Sequence, residues 1–316
     1  MKPATSRRQI PPEARESLWS APGGQSIRRI DWPVPGHPRG SLLFMPGRGD
    51  AYEKWLESLD HWARAGWAVT SADWRGQALS GRLGCDELTG HVGDFAEWVA
   101  DLAAFWREWA DGRPGPHVLA AHSMGGHIAL RAVAEGVVRP DALVLTAPML
   151  GLHPTWAPAA LLHAVAKVIA ALGDRRRPAW KNSEKPELIP HARSLLLTHD
   201  QSRYEDEAYW RAVRPGIAMG PASWGWIECA FASIRVLERP GLLEAVDVPV
   251  LMLATRHDGL VSWPAIARAA ARLPRGELVV FGRDCRHEIL REVDAVRDRA
   301  LVEIDGFLNR VAPVRG

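Results

Sequence analysis

Short apolar runs with no charged residue recur along the chain at 42–45, 68–71, 118–121, 142–146, 250–255 and 278–281. Runs this short and this continuously apolar read as strands buried on both faces. Between them lie longer stretches with helical spacing of apolar and polar positions, at 51–65, 94–110, 124–135, 265–273 and 288–308. Strand and helix in alternation predict an α/β fold: a mostly parallel central sheet, right-handed crossovers and helices on both faces. The rhythm breaks once. From 149 to about 229 no strand-like run occurs, and the chain instead carries an Ala/Leu-rich segment at 157–172, a basic knot (Arg175, Arg176, Arg177), a Pro-containing loop and a Trp-bearing helical region. This reads as an inserted helical cap or lid. The first 40 residues hold seven prolines, which exclude a long helix. They read as a loose arm followed by a short strand at 26–34. The expected division is therefore 1–40 arm and first strand, 41–148 first part of the core, 149–229 inserted cap, and 230–316 second part of the core.

Composition narrows the functional classes. Of 316 residues, 47% are hydrophobic and 24% charged, ordinary globular values that exclude a disordered chain. A formal net charge of +2 lacks the basic excess of a nucleic-acid binder. Three widely spaced cysteines (Cys85, Cys229, Cys285) with no C-x-x-C argue against a disulfide framework or zinc knuckle. The first 24 residues contain Arg7 and Arg8 but no apolar run after them, unlike a secretory signal. No window reaches the ~20 apolar residues of a membrane span. The expectation is a cytoplasmic protein. No metal-ligand spacing is visible, and no cofactor is expected.

The chemistry concentrates where the run at 118–121 ends. There the chain reads Ala121-His122-Ser123-Met124-Gly125-Gly126, close to G-x-S-x-G with alanine in the first glycine place. Small residues two places either side of the serine permit a sharp strand-to-helix turn that lifts its hydroxyl clear of the backbone. Of 15 serines, Ser123 alone has this setting; the competing reading is a plain helix N-cap. A serine hydroxyl needs a base. Among 12 histidines, His287 follows the last strand run across a short loop, at the sheet edge where Ser123 also falls. The imidazole needs an acid to fix its tautomer. Asp258 lies just past the run at 250–255; Asp247 precedes that run and sits at the wrong end; Asp284 is a rival only three residues from the histidine. The order Ser123, Asp258, His287 is that of α/β-hydrolases. Oxyanion donors are expected from the backbone N–H of Met124 and, in the loop Pro46-Gly47-Arg48-Gly49-Asp50, from that of Arg48.

With these motifs in place, the chain resembles the monoacylglycerol lipase and lysophospholipase branch of the α/β-hydrolases, also labelled serine-aminopeptidase-like. The matching stretches are Phe44-Met45-Pro46-Gly47-Arg48-Gly49, the loop from Asp73 to Gly81, His122 to Gly126, His257-Asp258 and Arg286-His287-Glu288. Many members carry His-Gly where this chain has Pro46-Gly47, and glycine where it has Ala121. The resemblance implies an α/β-hydrolase fold and a Ser-His-Asp acyl-enzyme mechanism. The 73–81 loop is mainly structural in such proteins.

The cap bears on the substrate. The 157–172 segment is apolar over most of its surface, so it is buried or touches something greasy. Five of 15 tryptophans lie in the insertion: Trp156, Trp180, Trp210, Trp224 and Trp226. They read either as cap core or as walls of an acyl-chain site, with Leu161, Val165, Trp156 and Trp224 as candidate substrate contacts. The expected substrate is a lipophilic ester, a lysophospholipid or monoacylglycerol, with peripheral membrane contact through the cap. Alternatives are a small-ester esterase, an aminopeptidase using cap acids (Glu184, Glu187, Glu205, Asp206, Glu207, Glu228) to hold an amine, and a non-catalytic binding protein on the same scaffold.

Overall fold

In the computed structural model, residues 7–153, 157–180 and 190–313 are described. The chain enters through a hairpin of β1 (Arg15–Ser20) and β2 (Ser26–Trp32), paired antiparallel from Arg15↔Asp31 to Ser20↔Ser26. The sheet continues with β3 (Gly40–Met45), β4 (Trp67–Ala72), β5 (His117–His122), β6 (Ala142–Thr146), β7 (Val250–Thr255) and β8 (Gly276–Phe281). The strand order is β1-β2-β4-β3-β5-β6-β7-β8. From β4 to β8 neighbours run parallel, and β2 joins β4 antiparallel.

The central strands β3, β4, β6 and β7 are buried at every position. That is why they appear in the sequence as unbroken apolar runs. β1 forms where a loose arm was expected. Only Trp19 of its six residues is buried, so an edge strand of this kind has no two-residue hydrophobic alternation to betray it.

Crossover helices cover both faces: α1 (Leu56–Arg64), α2 (Phe95–Asp111) and α3 (Ser123–Ala134). α2 starts at a full capping box, the Asp94 side chain accepting from the helix and Glu97 reaching back to the Asp94 N–H. The stretch expected as one helix at 51–65 opens instead with a 3-10 turn, Tyr52–Trp55, all four residues buried. Between β6 and β7 lie α4 (Ala159–Ala171), α5 (Pro190–Leu197), α6 (Gln201–Val213) and α7 (Trp224–Leu237). α4 packs on α7, which packs on α2 and α3. Residue 229, the expected end of the insertion, falls inside α7. The chain closes with α8 (Trp263–Arg272) and α9 (Asp294–Val311). α9 begins six residues later than expected, because 288–293 is drawn into the loop around His287: Glu292 accepts from the backbone N–H groups of Arg286 and His199.

Most tryptophans serve this core. Trp55, Trp62, Trp67 and Trp98 are among the largest fully buried side chains, which accounts for an abundance that composition alone left unexplained. Among the described residues, no helix is long and apolar enough to cross a membrane.

Candidate active site

β5 ends at His122 and α3 begins at Ser123 with nothing between. Ser123 holds φ +50, left-handed backbone that costs a residue with a Cβ about 1–2 kcal/mol. The packing that maintains it also explains Gly125. A Cβ there would stand 2.3 Å from Pro46 O and 2.8 Å from Met45 O, so the loop after β3 lies directly on the first turn of α3. Across the same junction, a Cβ on Gly47 would stand 3.2 Å from that of Ser123.

β7 and β8 deliver the other two groups. His287 Nε2 is 2.9 Å from Ser123 Oγ, and its Nδ1 is 2.8 Å from Asp258 Oδ2. The second carboxylate oxygen of Asp258 accepts the N–H groups of Leu260 (2.8 Å) and Val261 (3.0 Å). Asp258 and His287 are buried and Ser123 is half-buried. The rival acid, Asp284, is exposed in the turn after β8.

Burial disfavours charge on both members of the pair, and each offsets that effect in the other. Burial pushes Asp258 up, but His287 and the Val261 and Leu260 N–H groups outweigh it and hold the carboxyl below its usual range. Burial pushes His287 down, but the charge and hydrogen bond of Asp258, then Glu288 and Asp50, raise it above the usual 6.5. His122, next to the serine, goes the other way. Its ring centroid is 4.8 Å from that of His287, and Nδ1 is 3.1 Å from Thr146 Oγ1. Burial, with His287 and Lys54 nearby, drives its pKa well down, so it stays neutral packing.

The loop after β3 is braced from three sides. Trp74 Nε1 donates to Pro46 O at 2.8 Å; Gly49 N donates to Gln77 Oε1 at 2.7 Å; Gly47 N donates to Asp50 Oδ2 at 3.1 Å. Two of these braces come from the 73–81 loop, to which the sequence reading gave no chemistry. Gln77 also reaches the sulfur of Met124 at 3.7 Å. The Arg48 side chain leaves the site, donating to Gly220 O at 2.7 Å with its guanidinium 5.3 Å from the Trp226 ring centroid.

The candidate substrate contacts are scattered. Leu161 and Val165 are 55% and 47% exposed, in one stripe of α4 with Val168 and Leu172; only Ala166 and Ala170 of that helix are buried. Trp224 is half-buried at the start of α7, Trp210 and Trp226 are core, and Trp180 is exposed. Trp156 lies outside the described residues, as do Glu184 and Glu187. Of the remaining insertion acids, Asp206 is paired with Arg7 and Arg8, Glu207 with Lys54, Arg193 and Arg211, and Glu228 with Arg175. Glu205 is exposed.

A family profile described as "Serine aminopeptidase, S33" matches residues 36–294, a span that holds the β3 loop, the elbow, Asp258 and His287. The chain belongs to the S33 serine aminopeptidase family. This S33 member is 32% identical over 302 residues to "Lysophospholipase L2" of Escherichia coli strain K12, covering 90% of this chain and 84% of that one. It is 29% identical over 158 residues to "Monoacylglycerol lipase" of Mycolicibacterium smegmatis, covering 50% of this chain and 54% of that one. In fold, it superposes on a soluble variant of monoglyceride lipase from Saccharomyces cerevisiae, solved with a substrate analog, with a TM-score of 0.75 at 18% identity, each chain covered to 98%. A carboxyl esterase from Bacillus coagulans gives 0.68 at 16% identity, with 94% and 98% covered. The S33 chain has the α/β-hydrolase fold.

Proposed function

We propose that this protein is a lysophospholipase-like serine hydrolase in which Ser123 is the nucleophile, His287 the general base and acid, and Asp258 the group that orients the imidazole. The S33 chain is a carboxylic ester hydrolase acting on a lipid ester. What carries the assignment of roles is the continuous chain from Ser123 Oγ through His287 to Asp258, at 2.9 and 2.8 Å, mounted on a strained elbow. His287 Nε2 takes the serine proton as Oγ attacks the ester carbon. The oxyanion forms beside the backbone N–H groups of Met124 and Arg48. The imidazolium then gives its proton to the departing alcohol, leaving an acyl-serine. Water, deprotonated by the same imidazole, releases the fatty acid and restores the serine.

The proposed substrate is a lysophospholipid, with monoacylglycerol as the related possibility. The likeness to the Escherichia coli lysophospholipase supports it. So does the outward stripe Leu161, Val165, Val168, Leu172, which suits a helix resting on the lipid surface from which substrate is drawn. An aminopeptidase needs a free carboxylate for the substrate amine. Asp206, Glu207 and Glu228 already face arginines, which weighs against that reading.

The test is a p-nitrophenyl ester series from acetate to palmitate, beside lysophosphatidylcholine and an aminoacyl anilide. Rising kcat/KM with chain length and release of fatty acid from the lysolipid are expected. Preferred cleavage of the anilide would overturn the substrate class. Ser123→Ala should lose about 10⁶ in kcat, and a fluorophosphonate should label Ser123 alone.

A further inference from the structure

Behind the oxyanion loop sits a buried ammonium to which no step of the mechanism above assigns a role. Lys54 is carried by the 3-10 turn that follows the loop, and its side chain is 5% exposed. Nζ donates to Asp50 Oδ1 at 2.7 Å and to Glu288 Oε1 at 2.5 Å. It also lies 3.1 Å from Glu207 Oε2 on α6, an ion-pair contact. Each carboxylate has a second engagement. Asp50 uses its other oxygen to hold the Gly47 N–H. Glu288 follows His287 in the chain and takes Arg291 Nε on its other oxygen at 3.0 Å. Glu207 takes Arg193 of α5 at 2.7 Å and Arg211 at 2.5 Å. One ammonium thus joins the loop bearing Arg48, the segment bearing His287 and a helix of the insertion.

We propose that Lys54 is a positioning residue for ester hydrolysis: it fixes the oxyanion loop against the histidine segment, so that the oxyanion donors and the base keep one geometry. The proposal rests on the triad reading above. The physical reason is preorganisation. Oxyanion donors contribute only if they need not reorient as charge develops. The Gly47-Arg48-Gly49 loop has two glycines and would sample other conformations without its braces. Asp50 is the brace within the loop itself, and a lone buried carboxylate would be expensive to keep there. Lys54 neutralises it and, through its second hydrogen bond, ties it to Glu288. The contact with Glu207 makes the arrangement sensitive to where α6 sits.

Lys54→Met is the direct test, read on a soluble butyrate ester and expressed per active site titrated with fluorophosphonate. The expected result is a fall in kcat of about 10²–10³, the range seen when an oxyanion donor is lost, with KM within about threefold. The groups facing His287 are Asp258, Ser123, His122, Glu288 and Asp50. Removing Lys54 leaves the last two carboxylates less compensated, so the acid limb of kcat/KM should move to higher pH. Lys54→Arg should recover part of kcat. Should Lys54→Met fail to fold, Asp50→Ala and Glu288→Gln decide the matter. The first should lower kcat without raising KM, and the second should move the acid limb to lower pH. A residue with a purely structural role would lower the melting temperature and the titratable fraction, and would leave per-site kcat and the limb unmoved; that result overturns the proposal. If instead the wild type cleaves no ester, or Ser123→Ala stays active, it is the triad reading that fails.

Discussion

Asp258→Asn separates the orienting acid from every other acid near the site, and the structure fixes the direction of its effect. Asp258 uses one oxygen for His287 Nδ1 and the other for the N–H groups of Leu260 and Val261. An asparagine can enter in two orientations. With its oxygen toward Leu260 and Val261, its NH₂ faces Nδ1, so His287 must present a lone pair there and carry its proton on Nε2. That tautomer donates to Ser123 and cannot take the serine proton. With the amide reversed, NH₂ opposes two backbone donors, and the part-buried N–H of Leu260 and the buried N–H of Val261 lose their acceptor, the buried one at roughly 1–3 kcal/mol. The loop therefore holds the asparagine in the unproductive orientation. The expected loss in kcat/KM is on the order of 10⁴, about 5 kcal/mol of transition-state stabilisation. Steady-state hydrolysis of a soluble ester measures it, with circular dichroism as the folding control. The exposed Asp284 as Asn should change the rate less than about threefold. If Asp258→Asn kept a tenth of wild-type activity, or Asp284→Asn lost as much as Asp258→Asn, the orientation argument would be wrong.

The acid limb of kcat/KM should lie above 6.5, because the interactions with Asp258, Glu288 and Asp50 outweigh burial and raise His287. Its imidazolium then persists to higher pH and activity falls as pH drops through that raised value; a limb at or below ~6 would contradict this. Gly125→Ala places a methyl 2.3 Å from Pro46 O, so it should displace the oxyanion loop and cost at least about 10² in kcat; unchanged kinetics would mean the elbow relaxes freely. Replacing both Leu161 and Val165 with Asp removes two half-exposed aliphatic groups from the α4 stripe. At about half of the ~1.5–3 kcal/mol for full burial of each, association with phosphatidylcholine vesicles should weaken by roughly 10- to 10²-fold. Acetate ester turnover should stay constant, and equal vesicle binding by wild type and variant would remove the membrane role of that helix.

The fold was legible wherever burial was complete. β3, β4, β6 and β7 are buried at every position, and a strand covered on both faces leaves a short run free of charge. Where burial is slight the signal is lost: β1 exposes five of six residues, whereas the half-buried β8 still shows its run at 278–281. The segment at 157–172 is a different case. It is as apolar as a core helix, which left two readings open, burial or contact with something greasy. α4 is a helix, but it buries only two alanines. Its apolar face is therefore not used in the chain's own described core.

Within the site, legibility followed local geometry. Ser123, Asp258 and His287 come within hydrogen-bond reach of one another because strand ends in a parallel sheet converge on one edge, so position in the rhythm stands in for position in space. Asp258 won over Asp284 for the same reason: a residue on the loop after β7 faces the loop after β8 across parallel neighbours. The supports of the site follow no such rule. Gln77 lies 28 residues from Gly49, and Glu288 lies 234 residues from Lys54. Both fall in stretches that carry the family resemblance, the 73–81 loop and Arg286-His287-Glu288, but nothing in those stretches says what either side chain holds. Only the pair Asp50 and Lys54, four apart at the start of a helical stretch, carried a local hint. Such a pair is ordinarily a surface contact worth little. It becomes a different object when both side chains are 5% exposed and a third and fourth element close over them. The proposed reacting groups can thus be read from the order of strands, while the side chains packed around them become visible only once the loops are folded together.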